Sequence, residues 1–265
     1  MSGDEAFALF ISSIIGVAGW WRWCGPLLRI KPPRASTAIG FISIAVPIAA
    51  FSLMLVILRG LAAHDVRDST TYTVFYMLIW LAWTGITILA LPRFGLSFRD
   101  DVMERSNLSA AIAIGGALIG ITLAFGGGNV GDGPGWWVVL FSGGLATATL
   151  AALWMGWHAI TGIADAITID RDTASGWRAA GFFVGGGVIV GRAAAGNWIS
   201  TIDTVKDFIV KGWPILILWA LVVAIDWMLR PNASRPLRNA FWCGAIPAFA
   251  FIVIGLVAAQ LQGPW

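Results

Sequence analysis

Charge is what this sequence has least of. Of its 265 residues, 12% are Asp, Glu, Lys or Arg and 58% are hydrophobic. A soluble domain carries about 25% charged residues, so an ordinary water-soluble fold is excluded. Cysteine is nearly absent as well. Cys24 and Cys243 stand in no CxxC or metal-ligand spacing, which gives a zinc site no support, and both read as small apolar side chains near helix ends. The two histidines, His64 and His158, fall at opposite ends of apolar spans. With about 30 Å of hydrocarbon between them they cannot share one iron, although a pigment on His158 beside Trp154 and Trp157 stays open. There is no HExxH, no GxSxG and no Ser–His–Asp set, so no enzyme and no cofactor is expected. The glycines of GGGNVGDGPG (126–135) lack the Lys-Ser/Thr of a phosphate loop, and that stretch reads as a surface or re-entrant loop.

What is present is a series of apolar runs long enough to cross a bilayer. Eight spans are expected: 6–21, 38–61, 71–91, 108–126, 136–158, 176–196, 208–229 and 240–261. The first is short for a hydrocarbon core. MSGDE carries no basic region, so that stretch is expected to be a retained helix rather than a cleaved signal. Pro32-Pro33, Pro92, the 126–135 run and RPNASRP at 230–236 separate the spans. The fold class is therefore all-α, a polytopic bundle of about eight transmembrane helices.

The basic residues set an orientation. Of the 17 Lys and Arg, twelve (Arg22, Arg29, Lys31, Arg34, Arg93, Arg99, Arg105, Arg171, Arg178, Arg230, Arg235 and Arg238) fall in or beside alternate loops. By the positive-inside rule those loops face the cytoplasm and both termini lie outside. The net charge of +3 follows this loop pattern rather than a basic patch interleaved with aromatics, so nucleic acid is not an expected partner. Most of the 16 tryptophans fall at span ends, where indoles settle at the headgroup level. Only Trp80, Trp83 and Trp219 lie well inside.

Four spans begin after an arginine and a capping cluster: Arg34 with Ser36-Thr37, Arg105 with Ser106-Asn107, Arg171 with Asp172-Thr173, and Arg238 with Asn239. Ser, Thr, Asn or Asp there satisfies the first free N–H groups of a helix. Two units match further, 104–129 and 170–197: acid–Arg start, capped entry, glycine-rich middle and a closing Gly-Asn. They suggest two hairpin repeats related by an axis along the membrane normal. The boundaries expected are an N-terminal three-helix region 1–103, hairpin repeats at 104–164 and 165–232, and a last helix in 233–265.

The run from Glu104-Arg105-Ser106-Asn107 through Gly115-Gly116 to Gly120, with Ala179-Ala180-Gly181-Phe182-Phe183 in the second unit, resembles the paired repeats of a bacterial inner-membrane family, the domain of unknown function numbered 350. The resemblance covers residues 104–232. It implies a multi-span inner-membrane protein and assigns no functional residue.

Small residues four apart stack on one helix face. Gly116/Gly120, Gly181/Gly185 and Gly187/Gly191 are thus expected to let helices approach closely, within the chain or in a homo-oligomer or partner complex. Arg192, about one turn from its span's end, is expected to snorkel or to pair with Asp203 or Asp207. Asp226 is expected to pair with Arg230 four residues on, and residues 197–208 to lie on the outer surface as an amphipathic helix. The composite expectation is a non-enzymatic structural or interaction subunit in the inner membrane, the alternative being a channel or transporter for a small solute or ion.

Overall fold

A computed structural model describes residues 2–29, 37–231 and 239–263. Their regular elements are all helical: α1 (Gly3–Arg29), α2 (Thr37–Gly60), α3 (His64–Arg67), α4 (Thr70–Ala90), α5 (Leu108–Gly127), α6 (Trp136–Thr161), α7 (Ile163–Thr168), α8 (Thr173–Ala194), α9 (Thr201–Gly212), α10 (Pro214–Leu229) and α11 (Ile246–Leu261). A 3-10 turn, Leu91–Phe94, follows α4, and π-helical turns at Phe98–Glu104 and Phe241–Ala245 lead into α5 and α11. The fold is an all-α polytopic bundle. Six helices are long and apolar enough to cross a membrane, and the α9–α10 pair, bent by 45°, makes a seventh if it crosses as one.

Two expected spans change. The first is not short: α1 continues through Pro26 for 27 residues, about 40 Å at 1.5 Å per residue. The span expected at 208–229 is cut at Trp213, where Pro214 starts a new helix and supplies no N–H to continue the old one. The sixth expected span, 176–196, keeps its place as α8 but falls outside the apolar set. It carries two arginines, and nearly all of its length is buried against other helices, so its apolar demand is set by protein rather than lipid.

The expected caps form. Asn107 Oδ1 accepts from Ala110 N at 3.2 Å, Asp172 Oδ2 from Ser175 N at 2.8 Å, and Asn239 Oδ1 from Phe241 N at 2.9 Å. The Arg34 and Ser36 cluster, like Arg235 and Arg238, lies outside the described residues. The residues before the first two caps, Ser106 (φ 52°) and Arg171 (φ 55°), both take the left-handed conformation. Each turn is closed alike, by Asn107 N to Asp101 O at 3.0 Å and Asp172 N to Ala166 O at 2.9 Å.

Helices α2, α5, α8 and α11 stand side by side and run the same way. A methyl added at Gly115 would meet Val46, and one at Gly126 would meet Ile57, along α2. Additions at Gly116, Gly120 and Gly127 would strike the α8 backbone at Ala180, Phe183 and Gly191. Additions at Gly181 and Gly185 would strike α11 at Ala248 and Phe251. The small residues of α8 therefore lie on two faces. Gly187 and Gly191 face α5, whereas Gly181 and Gly185 face α11, because six positions at 3.6 per turn advance by about 600° and leave the two pairs about 120° apart around the helix. A third tight seam, Gly19 against Gly85, joins α1 to α4.

Several tryptophans expected at the headgroup level are instead buried donors between helices. Trp23 stacks on Phe98 at 3.8 Å and donates to Ser43 O at 3.0 Å. Trp154 donates to Phe94 O at 3.0 Å, and the half-buried Trp20 donates to Leu81 O at 3.2 Å. Trp21, Trp137, Trp213, Trp227 and Trp242 are exposed, as the anchoring reading requires. Bonds between elements recur at sequence separations of 60 to 71, from Trp154–Phe94 through Trp219–Leu153 to Arg192–Gly263. Helices α1, α4, α6 and α10 are linked in one series, and α2, α5, α8 and α11 in a second.

Candidate functional site

Two polar centres lie at opposite ends of α8. Near its start, Arg178 is 0% exposed and Asp226 of α10 is 1% exposed. Arg178 Nε and Nη2 both donate to Asp226 Oδ1, at 2.9 and 2.8 Å. Nη1 reaches Cys243 O at 2.7 Å, and Nη2 also meets Ser175 Oγ at 2.9 Å. Trp157 of α6 donates to Asp226 Oδ2 at 3.1 Å. One ion pair therefore ties together α6, α8, α10 and the turn that starts α11. The expected Asp226–Arg230 pair does not form. Arg230 lies 4.1 Å over the Trp227 ring and donates to Thr161 O at 3.3 Å, because Asp226 points into the bundle while residue 230 has left the helix.

At the same end the acid cluster is engaged by its own neighbours. Ser97 N donates to Asp101 Oδ2 at 2.8 Å, Ser97 Oγ to Asp100 Oδ2 at 2.7 Å, and Arg99 meets Glu104 at 3.0 Å. Burial pushes the Asp101 carboxyl above its ordinary pKa, against the opposing pull of the Ser97 N–H and of Arg105. His158 Nδ1 accepts from Ala164 N at 3.3 Å, so that nitrogen serves the α6–α7 corner.

The other centre lies where α5 and α8 finish. The two turns beyond them are zipped together: Gly196 N donates to Val130 O at 2.8 Å, Asp132 N to Asn197 Oδ1 at 2.9 Å, and Trp198 N to Asp132 O at 2.8 Å. Gly131 (φ 113°) packs on the Gly196 backbone, with no space for a side chain. A cavity of about 160 Å³ lies beside this crossing, walled by the ends of α5 and α8 and by α3, α6 and α9. Asn129, 4% exposed, lines it. Its Nδ2 donates to Phe125 O at 3.2 Å, while its Oδ1 is buried with no hydrogen-bond partner. A buried acceptor left unpaired costs about 1–3 kcal/mol. The 126–135 run is thus the wall of a pocket.

Arg192 lies at this end too, and it does not snorkel. It is 8% exposed and donates to Gln262 O at 3.2 Å and Gly263 O at 3.4 Å. These carbonyls end α11, where the helix dipole favours a cation. Neither acid expected to face it does so in this geometry: Asp203 accepts from Ser200 Oγ at 2.7 Å, and Asp207 is 3.6 Å from Lys211. A second, apolar cavity of about 320 Å³ lies between α4 and α6, lined by Trp83, Thr147 and Trp154.

Gly116, Gly120, Gly181, Gly185, Gly187 and Gly191 all meet helices of this same chain. The structure brings none of them to either polar centre, nor does it join Arg192 to Asp226. Arg178 escaped the sequence reading because it was counted with a loop. The available signal was an arginine six residues beyond the Asp172 cap, too deep in a helix to be loop. No family model matches the chain, and no curated protein or solved structure matches it.

Proposed function

We propose that this is a non-enzymatic integral protein of the bacterial inner membrane, acting as a structural or interaction subunit of a membrane assembly. The observation that carries this reading is the commitment of polar groups inside the bundle to one another. Trp80 donates to Thr122 at 3.2 Å, Trp83 to Thr147 at 3.1 Å and Trp219 to Leu153 O at 2.7 Å, and Arg178 is held by Asp226. Polar groups paired in this way rigidify the helices that they join. The glycine seams join helices of one chain, so a partner would meet an exposed apolar face rather than the glycines.

The orientation proposed has both termini outside. Asp4 accepts from Trp136 and Arg192 donates to Gly263 O, so residues near both chain ends share the Asn129 end, opposite Arg99, Arg105 and Arg171. Positive-inside logic then directs the Asn129 end outward. The recurring separations favour an internal repeat whose unit is a descending and an ascending helix: α1–α2, α4–α5, α6–α8 and α10–α11. The resemblance to the domain of unknown function numbered 350 belongs to the same proposal.

Purification in mild detergent followed by mass spectrometry tests the role, with a defined partner expected to accompany the chain. Solute flux through purified protein in proteoliposomes would overturn it and favour the second reading, a channel or transporter. The unpaired Asn129 Oδ1 in its cavity is what favours that alternative.

A further inference from the structure

Helices α4 and α6 stand apart where other neighbours in the bundle close up. At the glycine seams an added methyl would strike a backbone, but at Gly144 of α6 it would meet only the tip of the Trp83 ring, at 3.6 Å. Two indoles bridge the gap. Trp83 Nε1 of α4 donates to Thr147 Oγ1 of α6 at 3.1 Å, and Trp154 Nε1 of α6 donates to Phe94 O, just beyond α4, at 3.0 Å. All four residues line the apolar cavity of about 320 Å³. Ala117 and Ile121 of α5 and Phe183 of α8 form its buried floor, whereas Ile86 and Ala148 are exposed at its rim. The cavity is therefore a side window that opens between two membrane-spanning helices, toward hydrocarbon.

The wall selects its occupant. Among the described residues no charged one lines it. Its polar side chains are already engaged, the indoles and Thr147 in the two bridges and Thr87 Oγ1 by donating to Trp83 O at 3.0 Å. A buried water needs two to four polar partners, and an apolar cavity of about half this size stays dry and takes up hydrocarbon. Left empty, the wall would forfeit its dispersion contacts. A partner helix about 10–12 Å across does not fit between bridges whose α6 residues, Thr147 and Trp154, are about 10 Å apart along the axis. A hydrocarbon chain does. From Trp83 to Phe94 the window runs about 16 Å, one leaflet of a hydrocarbon core about 30 Å thick. Phe94 closes one end, and Arg93 before it is exposed, where a cation complements a lipid phosphate.

We propose that the window between α4 and α6 holds one acyl chain of a phospholipid from the leaflet on the Arg93 side, with the lipid phosphate at Arg93. The lipid is a bound component of the bundle, framed by Trp83 and Trp154, rather than part of the exchanging layer around it. This site goes beyond the structural role and does not depend on it.

The test places the full chain in nanodiscs of phosphatidylcholine containing a small fraction of phosphatidylglycerol with a diazirine in mid-chain, and maps the adducts by mass spectrometry after illumination. Adducts on Ala90 and Ala151, in the window, are expected at least about fivefold above those on Phe41 and Phe249, exposed on α2 and α11; fivefold is about 1 kcal/mol of preference. Ala148→Phe, which sets a ring at the rim of the window, should bring window labelling down to the level of the exposed faces. Should that variant fail to fold, Arg93→Gln keeps the test, because its site is exposed. It should lower window labelling about threefold or more while leaving Phe41 and Phe249 unchanged. Parent labelling in the window no higher than on the exposed faces would overturn the proposal and leave the window to a side chain of a partner protein. Window labelling that either variant, once folded, leaves unchanged would overturn it as well.

Discussion

Arg178 and Asp226 are 48 positions apart in sequence and 2.8 Å apart in the bundle. The guanidinium reaches the carboxylate through two of its nitrogens and the Cys243 carbonyl through the third. This pair joins the two halves of the last hairpin to α6 and α8, so its loss should be felt across four elements.

Removing one partner strands the other as a buried charge. Asp226→Ala and Arg178→Leu are each expected to destabilise the fold by about 3–5 kcal/mol, read as a lowered unfolding midpoint in detergent. Arg178→Lys should restore little, because a lysine cannot hold Asp226 and Cys243 O together. The double replacement with leucine should cost less than the two single changes added. Strict additivity would show that the two residues are not coupled.

The glycine seams discriminate by position. Gly120→Ala, Gly185→Ala and Gly187→Ala each force a methyl into a neighbouring backbone, and overpacking of that kind costs about 1–3 kcal/mol. Gly40→Ala and Gly60→Ala meet nothing within 4 Å. They should be neutral or stabilising, by up to about 1 kcal/mol from helix propensity. Melting curves of the five variants suffice, and an equal response at all five positions would remove the seam from the account.

At Arg192 the charge docks on the end of α11. Arg192→Lys should lose a carbonyl bond to the end of α11 and cost about 1 kcal/mol, with Arg192→Leu worse. Asp203→Asn should leave the α8–α11 contact intact, since Asp203 serves Ser200 at the start of α9. The unfolding midpoint in detergent reads these changes, and an Arg192→Leu variant as stable as the parent chain would contradict the docking.

Asp101 predicts a pH dependence. Its carboxyl is raised by burial, so in the window just above the ordinary value of about 3.8 the folded chain binds more protons than the unfolded one. Stability contributed through this group therefore falls as pH rises through that window. In Asp101→Asn that slope should disappear from the unfolding midpoint measured across acidic pH. An unchanged slope would assign it to another group.

Much was legible from composition and local pattern. Helix class, the caps at Asn107 and Asp172, the breaks at glycine and proline, and the small-residue character of α5 and α8 depend on a residue and its near neighbours. Those are properties a sequence carries openly. The equivalence of Arg105-Ser106-Asn107 and Arg171-Asp172-Thr173 was legible to within one residue, since the left-handed residue just before the cap is Ser106 in one turn and Arg171 in the other.

Pairing was another matter. Hydropathy makes a span of Trp154 and Trp157 but does not say which helix lies opposite, so indoles that look like headgroup anchors became donors to Phe94 O and Asp226. The two faces of α8, the clamp of Arg178 and the docking of Arg192 on α11 all depend on which helices are neighbours and how each is rotated. Composition and periodicity determined that this chain is a membrane bundle rich in close-packing helices. Only the tertiary arrangement decided which polar groups were left over, because a buried donor or acceptor is satisfied by whatever backbone or side chain the packing brings within 3 Å or so, and at Asn129 Oδ1 it brought nothing.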